Sequence, residues 1–479
     1  MKKLNLIILL LILVQYSYSQ QFTENTAIGL QGIIYGENAW LNIDNNGKDE
    51  LLVSGYDSDY NNTSGLYSYQ PENLGLTATN IEAFSNANIS TLDYNNDDYM
   101  DFIINGYNSN DEEDVILYIN DTTGSFTEQN LSIPGTSSGK MKAVDLNNDD
   151  LSDIIITGVD ANYNYIAKLY LQNSEGSFTE TTTPFFGNSF GSILTFDANN
   201  DGNLDVLLTG FSNSYEPETK LYINNGDAVF SEKINTGIAD IYFSTLSAAD
   251  YDNDGDEDVL ISGFNSSYIP YTALYNNDGD EGFILDTEAN LMQLYWGSTS
   301  FVDYDNDGDL DIFISGADAN TLPFVKFYKN ENEEFIEDLE SEIGISGTYI
   351  SSVNWSDYDN DGDLDFVLSG LDGNNDAITK VYDNQQESLS VQDFTSNIEF
   401  TIYPNPTTNK IVNLVFDESK LLASSKVSIY STIGQKVFET DLNNNTSNKA
   451  LYLKTLNEGI YLLKISSGDF TTTKKIILK

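Results

Sequence analysis

Asp303-Tyr304-Asp305-Asn306-Asp307-Gly308-Asp309-Leu310-Asp311, followed at once by Ile312-Phe313-Ile314-Ser315 and a stop at Gly316, is the stretch on which the fold turns. Carboxylates stand at positions one, three, five and nine of a nine-residue loop, with glycine at six. An apolar strand leaves the loop. The pattern returns at Asp357 and, with substitutions, at Asn42, Asp93, Asp145, Asp197 and Asp250, at intervals of 51, 52, 52, 53, 53 and 54 residues. Seven copies so evenly spaced mean a repeat architecture.

Each unit carries four strand signals. One strand runs into the acidic loop, and a second leaves it and ends at Gly55, Gly106, Gly158, Gly210, Gly263, Gly316 or Gly370. A third carries Tyr67, Tyr118, Tyr170, Tyr222, Tyr275, Tyr328 or Tyr382, and a fourth begins near Phe126, Phe178, Phe230, Phe283 or Phe335. Four short strands in about fifty residues make one propeller blade. The expected fold is all-β: a seven-bladed β-propeller over 20–385, a linker over 386–398, and a small Ig-like β-sandwich over 399–479. Gln21-Phe22-Thr23-Glu24 repeats the fourth-strand signature Ser125-Phe126-Thr127-Glu128 ahead of the first unit. It is expected to complete the last blade and close the ring, which removes exposed sheet edges. Leu389 is the competing candidate for that strand.

The loop chemistry suits calcium, which takes six to eight oxygen ligands in irregular geometry. Four carboxylates and a backbone carbonyl at position seven can wrap one ion, while glycine at six permits the turn. Without a cation the clustered carboxylates repel, so ion and fold are coupled. The bland alternative, a solvated acidic turn, does not account for regular recurrence. An EF-hand would need glutamate at position twelve, where the sixth unit has Ile314. Calcium is expected at six sites, in blades 2 to 7. The ligands are Asp93, Asn95, Asp97 and Asp101; Asp145, Asn147, Asp149 and Asp153; Asp197, Asn199, Asp201 and Asp205; Asp250, Asp252, Asp254 and Asp258; Asp303, Asp305, Asp307 and Asp311; and Asp357, Asp359, Asp361 and Asp365. Asparagine at position three lowers the ligand charge in units two to four. Units two and three also put Asp98 and Asp150 in the glycine position. Unit one (Asn42, Asp44, Asn46, Glu50) is expected to bind weakly or not at all. Affinities on the order of 10⁻⁴–10⁻³ M suit such an extracellular module.

Composition narrows the chemistry. The chain has no cysteine, histidine or arginine, which excludes thiolate and imidazole sites, Ser-His-Asp triads and bidentate arginine clamps. Residues 20–397 hold nine lysines against 68 acids, a net of −59, whereas 399–479 net +3. Such a surface repels nucleic acid. Residues 1–19 read as a signal peptide: Lys2 and Lys3, an apolar run over 4–14, then Ser17-Tyr18-Ser19. The mature protein is expected to have no membrane span and to be a monomer.

These loops and the blade length resemble FG-GAP (VCBS-type) repeats, the family that includes the integrin α-subunit propeller, over roughly residues 20–390. The resemblance implies calcium ligation at the positions named and a role in recognition or adhesion. Toward the C-terminus, Tyr403-Pro404-Asn405-Pro406, the run Gly459-Ile460-Tyr461-Leu462-Leu463-Lys464-Ile465 and the terminal Lys474-Lys475-Ile476-Ile477-Leu478-Lys479 resemble the type A sorting domain of the type IX secretion system. That resemblance implies handling by the type IX machinery and release to the medium or the outer cell surface.

Ligand candidates lie at the end of the blades away from the acidic loops. Tyr60, Tyr163, Tyr215 and Tyr268 follow the strand-ending glycine by five residues, and Tyr35, Phe190, Phe243 and Trp296 precede the acidic loop by seven. Both sets are expected to ring the channel on one face, where Trp296, Tyr35 and the four loop tyrosines make platforms for sugars or peptides. Phe190 and Phe243 are expected to pack between blades, and Trp40, Phe301 and Trp355 to fill the core. The leading expectation is a surface-displayed, non-enzymatic recognition module for a glycan or an extracellular protein. A polysaccharide lyase using Lys140, Lys142, Lys168 or tyrosine is the second reading, and a passive surface or matrix component the third.

Overall fold

A computed structural model describes residues 21–70, 73–77, 81–279, 282–385, 400–416, 425–431, 436–442, 448–457, 459–467 and 470–479. The signal-peptide and linker readings fall outside these residues, as does Leu389. The chain divides into two compact units, 1–386 and 387–479.

Among the described residues, the first unit is built of seven antiparallel sheets that follow one another in chain order. Blade 6 is typical: Thr299–Val302, Asp311–Ala317, Pro323–Asn330 and Phe335–Glu337 pair in sequence. In the second strand of each blade the three residues after position nine are all apolar and buried, because both faces of the strand are covered. Alternate residues then serve alternate cores. Ile312 and Ile314 join Tyr251, Leu260 and Leu274 of blade 5, whereas Phe313 points the other way, to Phe366 and Leu368 of blade 7. Seven such clusters separate successive blades. The last, with Leu51 and Val53 of blade 1 against Val367 and Val381 of blade 7, closes the cycle.

Closure uses the N-terminal strand. Phe22–Glu24 pairs antiparallel with Ala377–Asn384, with Phe22 opposite Asn384 and Glu24 opposite Tyr382. It supplies the fourth strand of blade 7, the place that the Phe22 signature called for. Blade 1 has its fourth strand at Asn73–Thr77, a segment without the phenylalanine signature of the other blades.

The recurring tyrosine has a definite task. Buried phenols need a hydrogen-bond partner, and here the hydroxyl accepts the backbone N–H of the segment that enters the same blade. Examples are Glu82 to Tyr118 (2.9 Å), Phe186 to Tyr222 (3.0 Å) and Met292 to Tyr328 (2.8 Å).

The second unit stacks a three-stranded sheet (Phe400–Tyr403, Ile411–Phe416, Asn448–Tyr452) on a four-stranded one (Lys436–Leu442, Ser425–Ser431, Gly459–Ser467, Phe470–Leu478). Val412, Leu414 and Leu451 of the first sheet meet Val427, Ile429, Leu463 and Ile476 of the second, which makes a small sandwich.

Candidate functional site

The acidic loops are folded by their own side chains. In blade 6 the Asp303 carboxylate accepts the backbone N–H groups of Asp307 (3.1 Å) and Gly308 (3.1 Å), and Asp307 Oδ1 accepts that of Asp309 (3.0 Å). The same bonds recur in blades 2 to 7. Position six is left-handed throughout: φ is 85° at Gly202, 98° at Gly255, 99° at Gly308 and Gly362, 66° at Asp98 and 64° at Asp150. A Cβ at those four glycines would meet nothing within 4 Å, so backbone conformation, not space, selects glycine there.

The aspartate at position nine is buried in blades 2 to 7. Its Oδ1 accepts the N–H of the residue that ends the third strand: Asn120 on Asp101 (2.7 Å), Gln172 on Asp153 (2.9 Å), Asn224 on Asp205 (2.7 Å), Asn277 on Asp258 (2.9 Å), Asn330 on Asp311 (2.9 Å) and Asn384 on Asp365 (2.7 Å). In blades 2 to 5 its Oδ2 also accepts the N–H of loop position two. This residue therefore staples the loop to the blade, keeping spare lone pairs for an ion. Burial raises its pKa, first by desolvation and then through the neighbouring aspartates: to about 6 at Asp101, Asp153 and Asp205, about 7 at Asp258, about 8 at Asp311 and about 9 at Asp365.

Blades 5 to 7 differ from blades 2 to 4 in what position three does. Asn95, Asn147 and Asn199 turn their amides onto Asp97, Asp149 and Asp201 at 3.0–3.1 Å. Where aspartate replaces asparagine, three carboxylates converge with ligand atoms within 4.8 Å: Asp250, Asp252 and Asp254; Asp303, Asp305 and Asp311; Asp357, Asp359 and Asp361. Asp311 Oδ2, Asp359 Oδ1 and Asp365 Oδ2 are buried without a hydrogen-bond partner. These bare oxygens fit a hard divalent cation. In blade 1 the Asp44 carboxylate is met by Asn46, and Glu50 accepts the Ile43 N–H, with no carboxylate cluster among the described residues.

The residue after the recurring tyrosine sets these three loops apart, a signal that motif reading passed over. In blade 6 it is Lys329, whose Nζ lies 3.0 Å from Asp305 Oδ2. In blade 5 it is Asn276, which accepts the Tyr251 hydroxyl (2.8 Å). In blade 7 it is Asp383, a further acid whose field reaches Asp365 and Asp359. Blade 6 thus carries a built-in cation, and blade 7 the densest negative charge.

At the opposite end, the seven residues that precede the loops by seven all adopt left-handed backbone: Tyr35, Asn86, Ser138, Phe190, Phe243, Trp296 and Ile350, with φ between 45° and 57°. The innermost strand breaks or bulges there, as between Asn188–Ser189 and Ile193–Phe196. Consecutive blades are tied along this ring, from Phe190 N–H to Ser138 O (2.5 Å), Phe243 to Phe190 (2.6 Å), Trp296 to Phe243 (3.2 Å) and Ile350 to Trp296 (2.6 Å). The ring lines a cavity of about 170 Å³ at the channel mouth.

Phe190 and Phe243 do not pack between blades as expected. Their rings meet each other at 4.6 Å, tilted by 45°, and Phe243 meets Trp296 at 4.8 Å across the mouth, because the left-handed backbone turns them toward the axis. Phe190 is 41% exposed. Tyr35 reaches Trp296 at 5.8 Å. The four loop tyrosines do not line this cavity. They stand on left-handed turn tips, exposed by 58–89%; Tyr268 reaches the mouth cluster through Tyr242 at 5.9 Å, and the field of Tyr60 reaches Tyr35 and Tyr349. Trp355 packs in the core between blades 6 and 7, Trp40 stacks on Tyr358 at 5.0 Å, and Phe301 lies against Tyr251. Reading only the ring position missed its neighbours Tyr242, Tyr295 and Tyr349, one residue earlier in blades 5 to 7. These extend the aromatic surface with Phe264, which stacks on Tyr295 at 3.9 Å.

Repeated four-stranded sheets with an acidic loop in each define an all-β repeat protein with a sorting appendage. FG-GAP-like repeats match at residues 145–208, 197–261, 250–314 and 303–368, and a secretion system C-terminal sorting domain matches at 401–479. The sorting domain marks the chain for type IX export to the cell surface or the medium. A stretch of 161 residues is 27% identical to cartilage acidic protein 1 of Xenopus tropicalis, covering 31% of this chain and 24% of that protein. The chain therefore spans about a quarter of the length of this relative. AofleA from Arthrobotrys oligospora superposes with a TM-score of 0.39 at 10% identity, over 66% of this chain and 89% of that one. Aleuria aurantia lectin in complex with alpha-methyl-L-fucoside gives 0.37 at 8% identity, over 64% and 96%.

Proposed function

We propose that this chain is an exported, calcium-bound recognition module. Ions sit in the loops of blades 2 to 7, most firmly in blades 5 and 7, and the aromatic mouth takes a neutral glycan. One observation carries the calcium reading: the buried oxygens of Asp311, Asp359 and Asp365 have no hydrogen-bond partner. Ionising such a buried, bare carboxyl is costly, as the raised pKa values of Asp311 and Asp365 reflect, and an adjacent cation removes the cost. Calcium, when bound, supplies positive charge and satisfies six or more oxygens. The chain's own part is to hold those oxygens in place, through the position-nine staple and the Asx bonds at positions one and five.

The glycan reading rests on the mouth. Phe190, Phe243, Trp296 and Tyr35 meet there in rings partly open to solvent, and an aromatic face with polar neighbours suits the C–H face of a sugar. Left-handed backbone at bulky residues costs on the order of 1–3 kcal/mol each, a strain that clusters at binding sites.

Calorimetric calcium titration of the full chain, with a melting curve in EGTA, tests the first part. An unchanged melting temperature on chelation would end it. A glycan array probed with wild type and Trp296→Ala tests the second. Binding lost in the variant supports the mouth as the site; a blank array, or equal binding by both, sinks it.

A further inference from the structure

Below the mouth the channel widens to a cavity of about 500 Å³, walled by the innermost strands of all seven blades. Its lining is rich in hydroxyls, among them Ser90, Thr91, Ser192, Thr245, Ser298 and Thr299. Residues 20–397 net −59, yet of their nine lysines two, Lys140 and Lys142, face this cavity, and Glu37 is the one carboxylate among its lining residues. Lys140 pairs with Glu37, linking blades 3 and 1. That pair cancels, and Lys142 is left over.

The repeat supplies an internal comparison. At the position of Lys142, three before the loop, the other blades carry Ala39, Ser90, Leu194, Ser247, Ser300 and Asn354. Blade 3 alone puts a charge at that level. Lys142 makes no ion pair among the described residues. The field of Glu257 reaches it, but that carboxylate is engaged by the Asp197 N–H at 2.9 Å. Burial pushes the ammonium down from its ordinary value more than Glu257 restores it. Glu257 thus acts on it only as a field, with no ion pair formed among the described residues, and a part-buried ammonium among hydroxyls gains from an anion that also accepts hydrogen bonds.

We propose that the channel is a carboxylate-binding chamber, in which Lys142 pairs with the carboxylate of a small organic acid or acidic sugar and the serine and threonine hydroxyls donate to it. The site is separate from the loops, where acids would hold a cation, and from the mouth, where rings would face a neutral sugar. It does not depend on either of those readings.

The test uses the full mature chain in saturating calcium. Acetate, glucuronate and glucose are titrated by calorimetry into wild type and Lys142→Met. Saturable binding of acetate, weakened more than about tenfold in the variant, with none for glucose, is the expected result. Glucuronate binding tighter than acetate identifies an acidic sugar as the source, and equal binding identifies a small acid. Wild-type crystals soaked in 4-bromobenzoate, a carboxylate whose aryl bromide an amine does not displace, give a readout independent of the variant's folding. An anomalous bromine peak in the channel beside Lys142 supports the site, and its absence overturns it. No saturable acetate binding to wild type, or equal affinity in Lys142→Met, likewise overturns it.

Discussion

Replacing Phe22 with alanine tests how the ring is closed. Phe22 is fully buried in the core between blades 6 and 7, with ring centroids 5.1 Å from Phe366, 5.2 Å from Phe327, 6.0 Å from Trp355 and 6.1 Å from Tyr304. Its strand is short, and the neighbouring Gln21 adds three tethers: to Tyr304 O (3.1 Å), from Ser341 Oγ (2.7 Å) and from Gln385 N–H (2.6 Å). Phe→Ala at a fully packed site costs about 3–5 kcal/mol through lost transfer energy and the cavity left behind. A unit of this size unfolds with an entropy that converts each kcal/mol to little more than 1 °C, so the melting temperature should fall by about 4–7 °C. The assay is differential scanning calorimetry in calcium, with Leu389→Ala as the paired control. Leu389→Ala should leave the transition in place. A Phe22→Ala shift under about 1 °C, or an equal drop in the control, would refute closure by the N-terminal strand.

Two other expectations follow from the loops. Lys329→Ala removes the amine beside Asp305 and should tighten calcium at blade 6 several-fold, seen as a steeper early phase in the calorimetric titration; weaker binding would mean that the lysine organises the loop instead of competing with the ion. Glu50 is raised to about 7, chiefly by burial, with Asp44 and Asp49 adding to it. Its folded pKa lies above the ordinary 4.5, so its contribution is fully present below about 4.5 and is lost as pH rises through about 7. Glu50→Gln should therefore gain melting temperature relative to wild type between pH 5 and pH 8; a difference independent of pH would contradict the assignment.

The repeat itself was legible because spacing and strand periodicity are written in one dimension. Even intervals, a glycine after each second strand and the stray Phe22 signature were enough to expect blades and the strand that completes the last one. The loop residues could be named for the same reason: an Asx-type turn brings together side chains two to eight positions apart. Local pattern could not say which oxygens stay unsatisfied. That depends on Lys329, Asn276 and Asp383, which come from the third strand and meet the loops only through sheet pairing. Phe190 and Phe243 went astray for a related reason. Hydrophobicity argues for burial, but a bulged innermost strand with left-handed φ turned both rings onto the axis.

The sequence on its own determined the repeat, the strand order and the acid positions, because each follows from residues close together along the chain. Tertiary structure alone decided how charge is balanced across the blades: the aspartate oxygens left bare, the ion pair from Lys140 to Glu37, and Lys142 standing in the channel outside any ion pair among the described residues. Charges interact through space across distances the chain covers only by closing on itself, so no local pattern records their sum.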